Sequence, residues 1–138
     1  MQKLATVLLV DDDPTTNFLN ERLLNSLDIV EQVLVAHNGT EALATLQQLR
    51  ETDDKRAVLV LLDVNMPVMD GIEFLEAYRQ LSAAEQASAV VVMLTTSMHS
   101  SDLARINELP IAGLVSKPLT REKLDTLLQL HFRRHLPS

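Results

Sequence analysis

The sequence has no cysteine and few aromatic residues, and each shortage excludes a class of site. Without cysteine the chain forms no disulfide, no thiolate metal site and no thiol nucleophile. One Tyr, three Phe and no Trp provide no base-stacking platform and leave the core to aliphatic side chains. Lys and Arg total 12 against 19 Asp and Glu, and the formal charge of −7 argues against a general nucleic-acid binder.

Long apolar segments are also missing from the sequence. No run reaches the roughly 20 residues that cross a membrane, and the first residues, MQKLATVLLVDDD, meet acidic side chains too soon for a signal peptide. We therefore expect a protein of the reducing cytoplasm that contacts no membrane. The length favours a single domain over residues 1–138 with no output domain, and such a chain buries about 68% of its unfolded surface.

Five short runs of β-branched and aliphatic residues predict the strands. The runs are continuous rather than alternating, which is typical of strands buried on both faces of a parallel sheet between helices. They are Ala5–Val10, Val33–Ala36, Ala57–Leu62, Ala89–Leu94 and Ala112–Val115.

Segments with helical periodicity separate and follow these runs, and most begin with a capping residue or a capping-box spacing. The start signals are Asp13-Pro14, Asn38 with Glu41, Asp70 with Glu73, a segment near Ser100, and Thr120. The first helix carries an apolar stripe of Leu19, Leu23 and Leu27. Strand and helix alternate five times, which predicts an α/β doubly wound sheet.

Polar side chains end four of the five strands. The first run ends in Asp11-Asp12-Asp13, the third in Asp63, the fourth in Thr95-Thr96-Ser97 and the fifth in Ser116-Lys117-Pro118. In an open α/β sheet, ligands bind beyond the carboxyl ends of the strands. We therefore expect an acidic pair, a lone Asp, a hydroxyl and a Lys to meet at one cleft.

The acidic residues of this cleft predict a cation site. We interpret Asp13, before Pro14, as a helix cap, which leaves Asp11 and Asp12 for the cleft. Asp63 directly follows a buried strand, where a carboxylate loses hydration unless a partner compensates. Three carboxylates in one cleft repel one another, and Mg²⁺, a hard cation that prefers oxygen ligands, relieves that repulsion.

The strand-end segments together resemble the receiver domain of bacterial response regulators. They are LLVDDDP, LLDVNMPVMDG, VVMLTTS and LVSKP, in this order, and the resemblance covers essentially the whole chain. The most diagnostic part is the third-strand segment that begins at Asp63 and continues to Asp70-Gly71. The resemblance implies a CheY-like, flavodoxin-like fold: a five-stranded parallel sheet of order 2-1-3-4-5 flanked by five helices.

The resemblance also implies the chemistry of the cleft. Asp63 would accept a phosphoryl group from the phosphohistidine of a histidine kinase or a histidine phosphotransfer protein. Mg²⁺ would be bound directly by Asp12, mainly through water by Asp11, and also by Asp63 and the backbone carbonyl of Asn65.

Two further residues complete the phosphoryl site that the resemblance implies. Thr95 and Lys117 would hold phosphoryl oxygens. In-line phosphoryl transfer needs an aligned nucleophile, a metal and donors for spread charge, and the cleft contains each part. The chain would then catalyse only its own phosphorylation and dephosphorylation and would not otherwise be an enzyme.

The phosphate is expected to act through a shift of the fourth helix, fifth strand and fifth helix, as Thr95 moves toward it. Many receivers have an aromatic switch residue three positions before the Lys, whereas this chain has Leu114, which argues against an aromatic readout. Asn65 and Ser97 occupy positions that influence the phosphoryl lifetime, and Thr96 is expected to narrow access. The surface formed by the fourth helix, fifth strand and fifth helix would bind a downstream protein or a second copy of the chain, without direct nucleic-acid contact.

Other functions fit parts of the pattern. A haloacid-dehalogenase-type phosphatase also uses a strand-end Asp with Mg²⁺, but its Asp-x-Asp motif ends the first strand, whereas Asp63-x-Asn65 follows the third run. A degenerate receiver would act only as an interaction module, although every signature position is present. A flavin-binding protein shares the architecture, but Gly39, Gly71 and Gly113 form no phosphate-cradling loop.

Overall fold

A five-stranded parallel sheet runs through the middle of the molecule. The computed structural model describes residues 3–52, 56–64, 70–87, 89–95 and 111–132. The strands are β1 Leu4–Val10, β2 Val30–Ala36, β3 Val58–Asp63, β4 Ala89–Thr95 and β5 Gly113–Ser116. All neighbours pair in parallel in the order β2-β1-β3-β4-β5, which confirms the order that the receiver resemblance implies.

The five predicted strands are present, with small differences in their bounds and burial. β2 begins at Val30 rather than Val33, because Val30 pairs with Leu4 at the start of β1. The central strands β1 and β3 are buried along their whole length, whereas β2 and β5, at the edges of the sheet, have exposed positions. The prediction of burial on both faces is therefore confirmed for β1 and β3 and wrong for the edge strands, which have only one neighbour.

Helices connect and follow the strands. They are α1 Pro14–Leu27, α2 Gly39–Arg50, α3 Gly71–Tyr78, α4 Ala83–Ala87 and α5 Arg121–Phe132. The predicted starts of α1, α2, α3 and α5 are confirmed, and α4 is a short helix that the sequence did not predict. The predicted helix near Ser100 lies outside the described residues.

The two capping boxes differ in completeness. Asp70 accepts from the Glu73 amide while the Glu73 carboxylate accepts from the Asp70 amide, so this box is complete. Asn38 accepts from the Glu41 amide, but the Glu41 carboxylate accepts from the amide of His37, one residue further back. In both cases the cap satisfies a backbone donor of the first helical turn, and the Glu side chain binds an amide at or just before the cap.

Helix α1 is rotated about its axis relative to the prediction. Its buried residues are Asn17, Asn20 and Leu24, whereas Leu19, which was assigned to the apolar stripe, is 55% exposed. The other two residues of the predicted stripe are partly buried. On the buried face the side-chain amide of Asn17 donates to the carbonyl of Asp11 at 2.9 Å, and Leu24 packs into the core.

Apolar layers cover both faces of the sheet and leave its carboxyl edge to polar groups. One layer includes Leu46 of α2 and Phe74 of α3, and the other includes Leu24 of α1 and Leu128 of α5. Of the helices in the described part of the chain, none is long and apolar enough to cross a membrane.

Candidate functional site

Three carboxylates meet at the carboxyl ends of β1 and β3. Val10 lies opposite Leu62 in the ladder, so the next residues, Asp11 and Asp63, lie side by side. Asp11 is 5% exposed and Asp63 is 7% exposed, while Asp12 is open to solvent. One carboxylate oxygen from each of the three residues lies within 4.8 Å of the others. The structure thus brings together the acidic residues that the sequence assigned to one cleft.

Lys117 brings a positive charge to the cluster of the three carboxylates. Its Nζ lies 3.0 Å from Asp11 Oδ2 and 3.0 Å from Asp63 Oδ1. Burial lowers the pKa of this amine, but hydrogen bonds and charges from Asp11 and Asp63 outweigh burial, so the pKa is raised overall. Lys117 is therefore a protonated, three-donor cation directed at both carboxylates.

Thr95 and Lys117 lie together at the ends of β4 and β5. Thr95 is opposite Ser116 in the ladder, and its carbonyl accepts a hydrogen bond of 2.8 Å from the Lys117 amide. The Lys117–Pro118 peptide bond is cis. Asp63 is opposite Leu94, one residue before Thr95. Thr95 and Lys117, which were predicted for the cleft, thus lie near Asp63 at the carboxyl ends of the strands.

Backbone and side-chain hydrogen bonds hold Asp11 in place. Its Oδ1 accepts from the Asp13 amide at 2.9 Å, its own amide donates to the Ala36 carbonyl at 3.1 Å, and its carbonyl accepts from Asn17. Sequence analysis did not assign Asn17 to the site. The signal that could have found it is an Asn at the helical spacing of buried Leu24, which marks a polar residue on a buried face.

Asp13 is confirmed as the cap of α1. Its carboxylate accepts from the Thr16 hydroxyl at 2.7 Å and from the Thr15 amide at 3.1 Å. These hydrogen bonds, the one from the Thr16 hydroxyl first, lower the pKa of the Asp13 carboxyl. The third Asp of the triplet therefore caps α1, as the sequence predicted.

Gly71 allows α3 to begin directly behind Asp63. The Gly71 amide donates to the Val64 carbonyl at 2.9 Å. A Cβ at position 71 would lie 2.5 Å from the Asp63 carbonyl oxygen and 2.9 Å from the Val64 Cα, closer than real Cβ atoms approach. Glycine is therefore required here for close approach of two backbones, and this contact supports the position of Asp63.

Of the four remaining residues that were predicted for the site, the structure describes Leu114. Leu114 lies on β5 opposite Met93 and is 43% exposed. Asn65, Thr96 and Ser97 lie outside the described residues.

The donor set fits a hard divalent cation. Among the described residues, three carboxylates face one ammonium group, so negative charge is in excess, and the carboxylate oxygens are close enough to share one ion. Oxygen-only ligands of this kind suit Mg²⁺. The cluster therefore has the composition of a metal site next to a fixed cation.

Comparison with known proteins supports a single family. The response regulator receiver domain family matches residues 7–129. Response regulator Rcp1 of Synechocystis is 31% identical over 124 residues, which cover 89% of this chain and 83% of Rcp1. Transcription factor SKN7 of Chaetomium thermophilum is 29% identical over 129 residues, which cover 94% of this chain but 16% of SKN7.

The fold of this chain is also similar to that of a solved response regulator. The crystal structure of a two component response regulator from Cytophaga hutchinsonii aligns with a TM-score of 0.83 at 28% identity, covering 96% of this chain and 100% of that one. The family match includes the segments that end β1, β3, β4 and β5, and the strand order agrees with the order that the motifs implied. The chain therefore belongs to the response regulator receiver domain family.

Proposed function

We propose that Asp63 of this receiver domain accepts a phosphoryl group from a phosphohistidine on a histidine kinase or a histidine phosphotransfer protein. The observation that carries the proposal is the position of its carboxylate. Asp63 ends a fully buried strand, lies 3.0 Å from the Lys117 ammonium and shares a cluster with Asp11 and Asp12. The proposed nucleophile, a cation and a candidate metal site thus lie together at the carboxyl ends of the strands.

The transfer step needs little covalent chemistry from the protein. A carboxylate oxygen of Asp63 attacks the phosphorus, the phosphorus–nitrogen bond of the donor breaks, and the departing imidazole keeps the electron pair and takes up a proton. The transition state spreads negative charge over the phosphoryl oxygens. Lys117 offers a protonated amine at that place, and the hydroxyl of Thr95 is the second proposed donor.

Asp11, Asp12, Asp63 and the Asn65 carbonyl are the residues that would hold Mg²⁺. When bound, the ion neutralises phosphoryl charge that the carboxylates would otherwise repel. Exposed Asp12 suits direct ligation. Both carboxylate oxygens of Asp11 already accept hydrogen bonds, from the Asp13 amide and from Lys117, which favours the water-mediated role for Asp11.

The phosphoryl group would act on protein partners through the face formed by β5, α5 and the helix predicted near Ser100. Leu114 contributes an exposed aliphatic side chain to this face, which supports a readout by apolar contact. The partner would be a downstream protein or a second copy of the chain, in the cytoplasm where histidine kinases present their phosphoryl groups. Phosphorylation and dephosphorylation would be the only reactions that the domain catalyses.

Labelling by acetyl phosphate tests the proposal. With Mg²⁺, the intact mass should increase by one phosphoryl group, and Asp63→Asn should abolish the increase. Asp28→Asn is the matched control, because Asp28 is exposed and its φ of 53° suits Asn equally well. Labelling of Asp63→Asn at the wild-type rate would refute the assignment. No labelling of the wild type, together with no response to beryllofluoride and Mg²⁺, would favour a degenerate receiver.

A further inference from the structure

Lys123, in the first turn of α5, binds the loop that carries Lys117. Its Nζ donates to the Ser116 carbonyl at 2.7 Å, the Pro118 carbonyl at 2.9 Å and the Ser116 hydroxyl at 3.2 Å. An ammonium group has three donors, so the contacts account for all of them. All three hydrogen bonds are made to the residues directly before and after Lys117.

The stability of α5 does not explain a lysine at this position. The Thr120 hydroxyl accepts from the Lys123 amide at 3.2 Å, which makes Thr120 the cap and Lys123 the third helical residue. A capping box has Glu or Gln at that place, and a cation near a helix N-terminus opposes the helix dipole. The favourable first-turn charge comes from Glu122 instead. The contacts to the loop are therefore the feature that accounts for Lys123.

These contacts fix the backbone on both sides of Lys117. The Lys117 amide is bound to the Thr95 carbonyl at 2.8 Å, and Lys123 holds the carbonyls of Ser116 and Pro118. With its backbone held in this way, the Lys117 side chain crosses the cleft to Asp11 and Asp63. A preplaced cation loses less conformational freedom when the transition state forms.

We propose that Lys123 is a positioning residue for phosphoryl transfer, which holds the Ser116–Pro118 loop so that Lys117 meets the phosphoryl group. The inference rests on the proposed role of Lys117 in phosphorylation. Lys123 acts through Lys117 and contacts none of the three carboxylates of the cluster in the described hydrogen bonds.

Amide hydrogen exchange tests the positioning without any phosphodonor. In Lys123→Met the Lys117 amide should exchange about 10-fold faster than in the wild type, because local opening of the loop becomes easier. Amides of β1 should keep their rates, and Lys123→Arg should restore most of the protection because guanidinium also donates to two carbonyls. Lys3→Met, which removes a lysine from an exposed ion pair with Asp28, is the control. An unchanged Lys117 amide in Lys123→Met would overturn the proposal.

A double-mutant cycle tests the link to catalysis. Lys123→Met should lower the rate of labelling at saturating acetyl phosphate roughly 3- to 10-fold, with Mg²⁺ affinity changed less than about twofold. In a Lys117→Met background the same substitution should have no further effect. An equal rate loss in both backgrounds would overturn the proposal. If the wild type is neither labelled nor responsive to beryllofluoride and Mg²⁺, the proposed function fails, and the exchange measurement still decides whether Lys123 holds the loop.

Discussion

The Nζ of Lys117 lies 3.0 Å from a carboxylate oxygen of Asp63, so the residue after β5 reaches across β4 to the last residue of β3. The same ammonium group contacts Asp11, which follows β1 on the far side of β3. Lys117 therefore binds two of the three carboxylates that would hold a metal ion. The cation of the side chain and a cation bound from solution would share these ligands.

Replacing Lys117 by Met should make stability depend more strongly on Mg²⁺. The substitution leaves two nearly buried carboxylates without their cation, which should lower the free energy of unfolding by about 1–3 kcal/mol in the absence of Mg²⁺. A ligand that binds only the folded state stabilises it. Saturating Mg²⁺ should therefore restore more stability to Lys117→Met than it adds to the wild type, as measured by urea unfolding.

Lys3→Met is the matched control for that measurement. Lys3 pairs with Asp28 at an exposed position, so its loss should change the free energy of unfolding by less than about 1 kcal/mol and leave the Mg²⁺ response unaltered. Equal stabilisation of Lys117→Met and the wild type by Mg²⁺ would contradict the sharing of ligands.

Replacing Gly71 by Ala should disturb the support of Asp63. The added Cβ would lie 2.5 Å from the Asp63 carbonyl oxygen, so either the start of α3 or the end of β3 must move. We expect a loss of about 1–3 kcal/mol in the free energy of unfolding, typical of overpacking, and slower labelling by acetyl phosphate.

Gly113→Ala separates this steric effect from the general cost of changing glycine. The nearest heavy atom to a Cβ there is His131 Nε2 at 3.7 Å, an ordinary contact. That variant should keep its labelling rate and lose no stability, since Ala restricts the unfolded chain more than Gly does. Similar losses in the two variants would show that close approach at Gly71 is not the cause.

Tyr78 should make stability fall at alkaline pH. Burial raises the pKa of its phenol, and its hydroxyl donates to the Gln86 carbonyl. A group with a raised folded pKa contributes its full stability below the unfolded pKa of about 10, and that contribution declines as pH rises through the folded pKa. Tyr78→Phe should cost about 0.5–1.5 kcal/mol at neutral pH through the lost hydrogen bond.

The difference between wild type and Tyr78→Phe is the quantity to follow against pH. It should be constant up to about pH 10 and shrink above it, because the phenol ionises more easily in the unfolded chain. Urea unfolding at a series of pH values measures both proteins under identical conditions, so other titrating groups cancel. A difference that is independent of pH would show that ionisation of Tyr78 is not linked to folding.

The sequence predicted those features of the fold that neighbouring residues determine. Continuous β-branched runs specify buried central strands, and Asp13 and Asp70 cap helices by accepting hydrogen bonds from amides two and three residues ahead. The cleft was predictable for a related reason. Asp11 and Lys117 directly follow strands of a parallel sheet and Asp63 is the last residue of one, and the carboxyl ends of such strands lie at one edge of the sheet.

The features that sequence did not predict depend on contacts between segments. A stripe through Leu19 is as regular as one through Asn17, and the structure distinguishes them by the burial of Leu24 in the core and the hydrogen bond from Asn17 to Asp11. The close approach of Gly71 to Asp63 likewise depends on a backbone distance that composition does not reveal. The contacts of Lys123 depend on tertiary structure in the same way, because the carbonyls of Ser116 and Pro118 reach its ammonium group only when the loop around Lys117 lies against the start of α5.

Chemical mapping of the phosphorylated residue tests the central claim most directly. Borohydride reduces an aspartyl phosphate to homoserine, and peptide mass spectrometry then identifies the modified position. After labelling with acetyl phosphate and Mg²⁺, we predict homoserine at position 63 and at no other. Homoserine at Asp11 or Asp12, or a labelled protein with no homoserine at position 63, would contradict the assignment of Asp63 as the phosphoacceptor.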